Sequence, residues 1–177
     1  EPTAIDDRQE VGGIEYRAED DRQQRRVVIR FERTGQDVRR APSKLFGIQS
    51  WLAQPKSLEM GDPAFTHVEA GELPTFGTNE LSGRVILGEF QGYASPLDTQ
   101  WETIYAEVQM KAGARLEVPK TIEERALRLV SGRVEVAGTH IEARQMAVMR
   151  PGSEIVVKAD KDTHLLLLGG AAMDGLR

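Results

Sequence analysis

The sequence predicts an all-β fold. Short runs alternate apolar and polar residues with a period of two, the period at which strand side chains point to opposite faces. Turn residues bound these runs at roughly 8–12 residue spacing. Two turn signals stand out. Val130-Ser131-Gly132-Arg133 lies between Leu127/Leu129 and Val134/Val136, and Pro151-Gly152 separates two apolar runs. The first reads as a hairpin, the second as strand, turn, strand. Strands are expected over 84–90, 103–110, 126–130, 133–137, 146–149, 154–158 and 163–168. The apolar phase of these strands supplies a candidate core of Ile104, Leu116, Leu127, Leu129, Val134, Val148, Ile155, Val157, Leu165 and Leu167.

A chain of 177 residues has room for one good domain and part of another. The absence of cysteine excludes disulfides, thiolate catalysis and thiolate metal sites. It gives no sign of an oxidising compartment, and the charged start lacks the apolar core of a signal peptide. The cytoplasm is therefore the expected location. No run of about eighteen apolar residues exists, so no membrane partner is expected. A net charge of −5 disfavours wholesale nucleic-acid binding.

The first 42 residues differ from the rest. They hold 9 Arg and Lys and 10 Asp and Glu, closely mixed, with few large apolar residues. Gly12 to Arg17 reads as a short strand, Ala18 to Arg25 as a solvated loop or helix turn, and Arg26 to Arg33 (RVVIRFER) as a second strand. Such a stretch cannot bury a core by itself.

Two matched runs organise the remainder: Gly113 to Gly132 (GARLEVPKTIEERALRLVSG) and Arg144 to Ala159 (RQMAVMRPGSEIVVKA). They resemble the two signature motifs of the cupin superfamily, which implies a jelly-roll β-barrel. The first motif is Gly, five residues, His-x-His, three or four residues, Glu, six residues, Gly. Laid on this sequence it puts Pro119, Thr121 and Arg125 at the ligand positions. The second motif puts Ile155 at its histidine. Iron, manganese and zinc need imidazole, carboxylate or thiolate donors. Proline and isoleucine have none, threonine is weak, and arginine is a fixed cation. This barrel is expected to be metal-free.

The resemblance narrows further. Leu45-Phe46-Gly47-Ile48-Gln49-Ser50-Trp51 is similar to the segment that opens the second domain of pirin proteins. It continues through Asp62 to His67, Glu72-Leu73-Pro74, Arg84 to Glu89, Thr103 to Glu107, Leu165 to Gly170 and Met173-Asp174-Gly175. Pirins are bicupins with one metal, an iron, in the N-terminal barrel. The resemblance therefore implies a C-terminal cupin domain over 43–177. Residues 1–42 are then the remnant of an N-terminal cupin, a partial second barrel. Pirin iron is implied to sit on His-Pro-His and His-x-Glu-Arg segments. Arg30-Phe31-Glu32-Arg33 falls at the second of these, so Glu32 is the one surviving metal-ligand position, and no His-Pro-His exists.

Other candidates are weaker. His67, His140 and His164 show no ligand spacing and read as satisfied histidines, although His140 and His164 could face one another. Glu123-Glu124-Arg125 reads as a solvated rim, and Trp51 and Trp101 as packing residues. No catalytic constellation rises above chance. The expected function is that of a metal-free, non-catalytic binding or regulatory protein. It would take a small molecule in its barrel or a regulatory protein partner, and form a homodimer. The activity implied by the pirin resemblance, a metal-dependent quercetin 2,3-dioxygenase, is the alternative.

Overall fold

The computed structural model describes residues 14–20, 26–32, 47–58, 61–62 and 64–173. The chain divides into two compact units, Glu1–Ala64 and Phe65–Arg177.

In the first unit β1 (Ile14–Asp20) and β2 (Arg26–Glu32) pair antiparallel, from Ile14 opposite Glu32 to Asp20 opposite Arg26. The second expected strand is thus present. The first runs further than expected, because Ala18, Glu19 and Asp20 continue the ladder opposite Val28, Val27 and Arg26. A single 3-10 turn follows at Lys56–Leu58. Trp51 is fully exposed, against the packing role its type suggested.

The second unit is all strand and turn. It contains β3 (Thr75–Gly77), β4 (Leu81–Leu87), β5 (Glu89–Phe90), β6 (Tyr93–Ala94), β7 (Thr103–Met110), β8 (Arg115–Val118) and β9 (Glu124–Ser131). It continues with β10 (Arg133–Val136), β11 (Thr139–Glu142), β12 (Met146–Met149), β13 (Ile155–Ala159) and β14 (Thr163–Gly170). Two antiparallel sheets result, in the orders β12-β9-β14-β7-β4-β3 and β11-β10-β13-β8, with β5-β6 as a small ladder. The seven strands expected from alternation are all there. The run 84–90 is broken into β4 and β5 at Gly88, which sits at φ +72°.

One core fills the space between the two larger sheets. The six-stranded sheet contributes Val85, Ile104, Ala106, Val108, Leu127, Leu129, Leu165 and Leu167. The four-stranded sheet contributes Leu116, Val118, Val134, Val136, Ile155, Val157 and Ala159. At one margin Phe76 and Phe90 meet edge to face at 5.4 Å. The hydrophobic effect acts on all of these together, since each loses its water only when both sheets are in place.

Two expectations fail here. Val148 is 79% exposed, while its neighbour Met149 is buried. The run Met146-Ala147-Val148-Met149 is apolar throughout, so its composition does not reveal which phase faces inward. Register decides: Met149 lies opposite Arg125 and Val148 opposite Ala126. Arg125 belongs to the inward phase of β9 with Leu127 and Leu129. The expected hairpin at Ser131-Gly132 is also absent, because β9 and β10 lie in different sheets. The turn is a corner. Gly132 has φ +93°, and a Cβ there would come within 2.6 Å of the Asp162 carbonyl oxygen. Thr163 Oγ1 accepts from the Arg133 N–H at 3.2 Å and fixes the corner.

Leu129→Ala is expected to destabilise the fold by about 2–5 kcal/mol, from lost burial plus the cavity. Val148→Ala should change it by less than about 0.5 kcal/mol. Urea melts of the two variants check the pair, and equal losses would put Val148 back in the core. Gly88 gives a second comparison. A Cβ there would sit 1.6 Å from the Thr103 carbonyl oxygen, whereas at Gly92, φ +80°, nothing lies within 4 Å. Both alanine variants carry about 1–2 kcal/mol of left-handed backbone strain. Gly88→Ala should melt well below Gly92→Ala, because only it also displaces a neighbouring strand.

Candidate functional site

The two motif segments fold as consecutive pieces of the two facing sheets. Gly113, at φ +88°, turns the chain from β7 into β8, and its N–H donates to the Ala159 carbonyl at 2.8 Å. Pro119 and Thr121 lie exposed in the loop between β8 and β9. Ile155 begins β13 and is buried in the core. Arg125 is only 2% exposed. The expectation of a solvated Glu123-Glu124-Arg125 rim therefore holds for the two exposed glutamates and fails for the arginine. Strand alternation explains the failure, since position 125 shares its face with Leu127 and Leu129.

The Arg125 guanidinium donates to four oxygens. Nη1 reaches the carbonyls of Pro119 at 3.3 Å and Val118 at 3.5 Å. Nη2 reaches the carbonyl of Arg150 at 2.9 Å and Oγ of Ser153 at 3.3 Å. Nε is buried without a partner. None of these acceptors carries a charge. Arg125 and Glu124, with Ala126, Val148, Met149 and Leu168, line a mostly apolar surface cleft of about 380 Å³.

The three histidines are each held by a carboxylate. His67 Nε2 lies 3.0 Å from Glu69, His140 Nδ1 lies 2.8 Å from Asp160, and His164 Nε2 lies 2.8 Å from Glu107. His140, exposed beside core-packed Ile141, is on the outer face of the four-stranded sheet, and His164, between buried Thr163 and Leu165, is on the outer face of the six-stranded one, so they do not face one another. Asp160 also receives Arg133 at 3.2 Å. Glu107 also faces Arg84, at 3.9 Å. His164 lines a second cleft, of about 370 Å³, with Ser82, Gln109, Lys111 and Asp162. The Arg84–Glu107–His164 group was not picked out from sequence. Its signal was available: all three lie on the outward phase of neighbouring strands β4, β7 and β14, and diagonal neighbours across strands are within reach.

Iron, which the family resemblance implies, does not fit the donors seen. Among the described residues no group of three or more His, Cys, Asp or Glu side chains converges. The motif positions offer a proline, a threonine, a guanidinium and an isoleucine. Glu32 closes β2 with its backbone opposite Ile14, and its side chain lies outside what the structure describes. Trp101 is a packing residue, as expected. Its indole N–H donates to the Ala171 carbonyl at 2.9 Å, tying the loop before β7 to the end of β14.

Residues 105–177 match the family model of the pirin C-terminal cupin domain. A pirin-like protein of Caulobacter vibrioides is 36% identical over 134 residues, 75% of this chain and 46% of that protein. This chain belongs to the pirin family. A putative quercetin 2,3-dioxygenase of Thermoplasma acidophilum is 23% identical over 139 residues, covering 72% of this pirin and 53% of that protein. The crystal structure of a quercetin 2,3-dioxygenase from Acinetobacter baumannii superposes with a TM-score of 0.63 at 23% identity, covering 72% of this chain and 47% of the other. That likeness shows the cupin jelly-roll architecture. The chain spans about half the length of the curated relatives it matches. No helix among the described residues is long and apolar enough to cross a membrane.

Proposed function

We propose that this pirin chain is a metal-free, non-catalytic protein that binds a small molecule or serves as a regulatory partner. One observation carries the proposal. The sequence has no His-Pro-His, and Arg30 stands where the family's second metal segment has its histidine; the second barrel adds no site, because a buried arginine directed at protein oxygens takes its carboxylate position. A guanidinium stays charged at any physiological pH and repels a divalent ion. Side chains fill the space between the sheets where a barrel ligand was expected, so a small molecule would have to use the open surface clefts beside β12 and beside His164. Cytoplasmic location and a homodimer, expected from the sequence, belong to the same proposal.

The alternative reading is a quercetin 2,3-dioxygenase-type oxidoreductase, favoured by the names of two relatives. It requires a redox metal with open coordination positions. Glu32 would be one ligand and would need others.

Elemental analysis after incubation with iron, manganese, nickel and zinc, then desalting, separates the two readings. The expected result is no stoichiometric metal and no loss of the quercetin absorption band on mixing. A stoichiometric metal that confers quercetin turnover sinks the non-catalytic reading. Light scattering after size exclusion tests the homodimer, and a monomer at high micromolar concentration removes it.

A further inference from the structure

The Arg125 contacts join pieces of chain that are far apart in sequence. Arg125 itself is on β9, in the six-stranded sheet. Val118 ends β8, a margin strand of the four-stranded sheet, and Pro119 follows it in the loop. Arg150 and Ser153 flank the Pro151-Gly152 turn, where the chain leaves β12 in the six-stranded sheet for β13 in the four-stranded one. The turn is built to present oxygens. Gly152 takes φ +71°, and the Arg150 carbonyl accepts from the Ser153 hydroxyl at 2.6 Å as well as from Arg125. Four neutral oxygens from two chain segments thus converge on one planar cation carried by a third.

A buried charge with no counter-charge is costly unless it is well hydrogen-bonded. No carboxylate lies within ion-pair distance of Arg125 among the described residues, so dipoles alone hold it. An aliphatic side chain of the same size would bury at lower cost. It would leave the Pro119 and Arg150 carbonyls without this donor. The guanidinium suits the place because its donors lie in a plane and point in several directions at once. A lysine ammonium has the charge without the span.

We infer that Arg125 is a built-in cation that braces one end of the two-sheet core, performing the cross-linking between loops that a bound ion would otherwise supply. The inference rests on the metal-free reading above and deepens it. A domain whose cation is part of its own chain needs none from solution. Loosening Arg125 frees the Pro151-Gly152 turn, and with it β12 and β8, the two marginal strands that meet there. The β7–β14 pairing at the centre of the six-stranded sheet does not depend on it.

The test uses the whole chain and three variants, Arg125→Met, Arg125→Lys and Arg125→Ala. Arg125→Met keeps volume and loses every N–H donor to these loops. Its Tm is expected to fall by more than about 5 °C, with amide protection lost in 115–118 and 146–149 before 103–110 and 163–170. Arg125→Lys should lose nearly as much, because charge alone does not reach all four oxygens. Arg125→Ala leaves an oxygen-lined hole of the right shape. Millimolar guanidinium chloride should raise its Tm, or restore cooperative melting if it is otherwise unfolded, where sodium chloride at equal ionic strength does not. Wild-type Tm should not change with EDTA. A wild-type Tm and protection pattern in Arg125→Met overturns the brace, as does rescue by sodium chloride equal to that by guanidinium. A fall of wild-type Tm in EDTA overturns instead the metal-free reading on which it rests.

Discussion

The fold depends on β14 lying between β7 and β9. Leu165 and Leu167 are fully buried on its inward phase. In register they stand beside Val108 and Ala106 on one side and Leu129 and Leu127 on the other. A slip of one residue in either ladder would turn these leucines outward and bring His164 and Leu168 into the core. The strand ends with Gly169 and Gly170, where a Cβ would come 2.1 Å from the Glu124 carbonyl oxygen and 2.2 Å from that of Glu102. Small residues at these positions let the neighbouring strands close tightly on the end of β14. The facing sheet then has a fixed apolar surface to pack against, and Val134, Val157, Leu116 and Ile155 complete it.

Much of this was legible because alternation is clean where a strand has one wet face. β7 reads TIYAEVQM, and its inward phase, Ile104, Ala106, Val108 and Met110, is buried throughout. Legibility failed for three physical reasons. β12 is apolar at every position, so only pairing register could separate Val148 from Met149. β11 reads THIE and has no apolar period. It exists because the Ala137-Gly138 turn, with φ of +49° and +77°, returns the chain onto β10. The Ser131-Gly132 signal was a true turn signal given the wrong geometry. A glycine with positive φ serves a corner between sheets as well as a hairpin, and only the pairing partners of β9 and β10 distinguish the two.

The candidate site was less legible than the fold. The motif frame put positions 125 and 155 on strands of the two sheets and 119 and 121 in the loop before β9, and their side-chain types argued against a metal. The expectation that Arg125 was a solvated rim residue followed from its company, two glutamates, and from the rarity of buried arginines. Strand phase outranked composition. Two residues on, Leu127 and Leu129 fixed the inward face, and position 125 had to share it. The Arg84–Glu107–His164 group was missed for a related reason. Its members are 23 to 80 positions apart in the sequence, and only three adjacent strands bring them together.

A guanidinium and a metal ion can brace the same loops and still leave different things over. A metal with open coordination positions offers them to a small molecule and can polarise what binds there. Arg125 directs its two terminal nitrogens at protein oxygens and keeps one buried N–H in reserve. Its two terminal nitrogens are engaged within the fold. This is how a jelly roll can keep its glycines, its turns and its core while the chemistry of one end changes, since fold and site are set by different residues. What lies open to solvent is elsewhere: the mostly apolar cleft beside β12, and the paired Glu107 and His164 on the outward face of the six-stranded sheet.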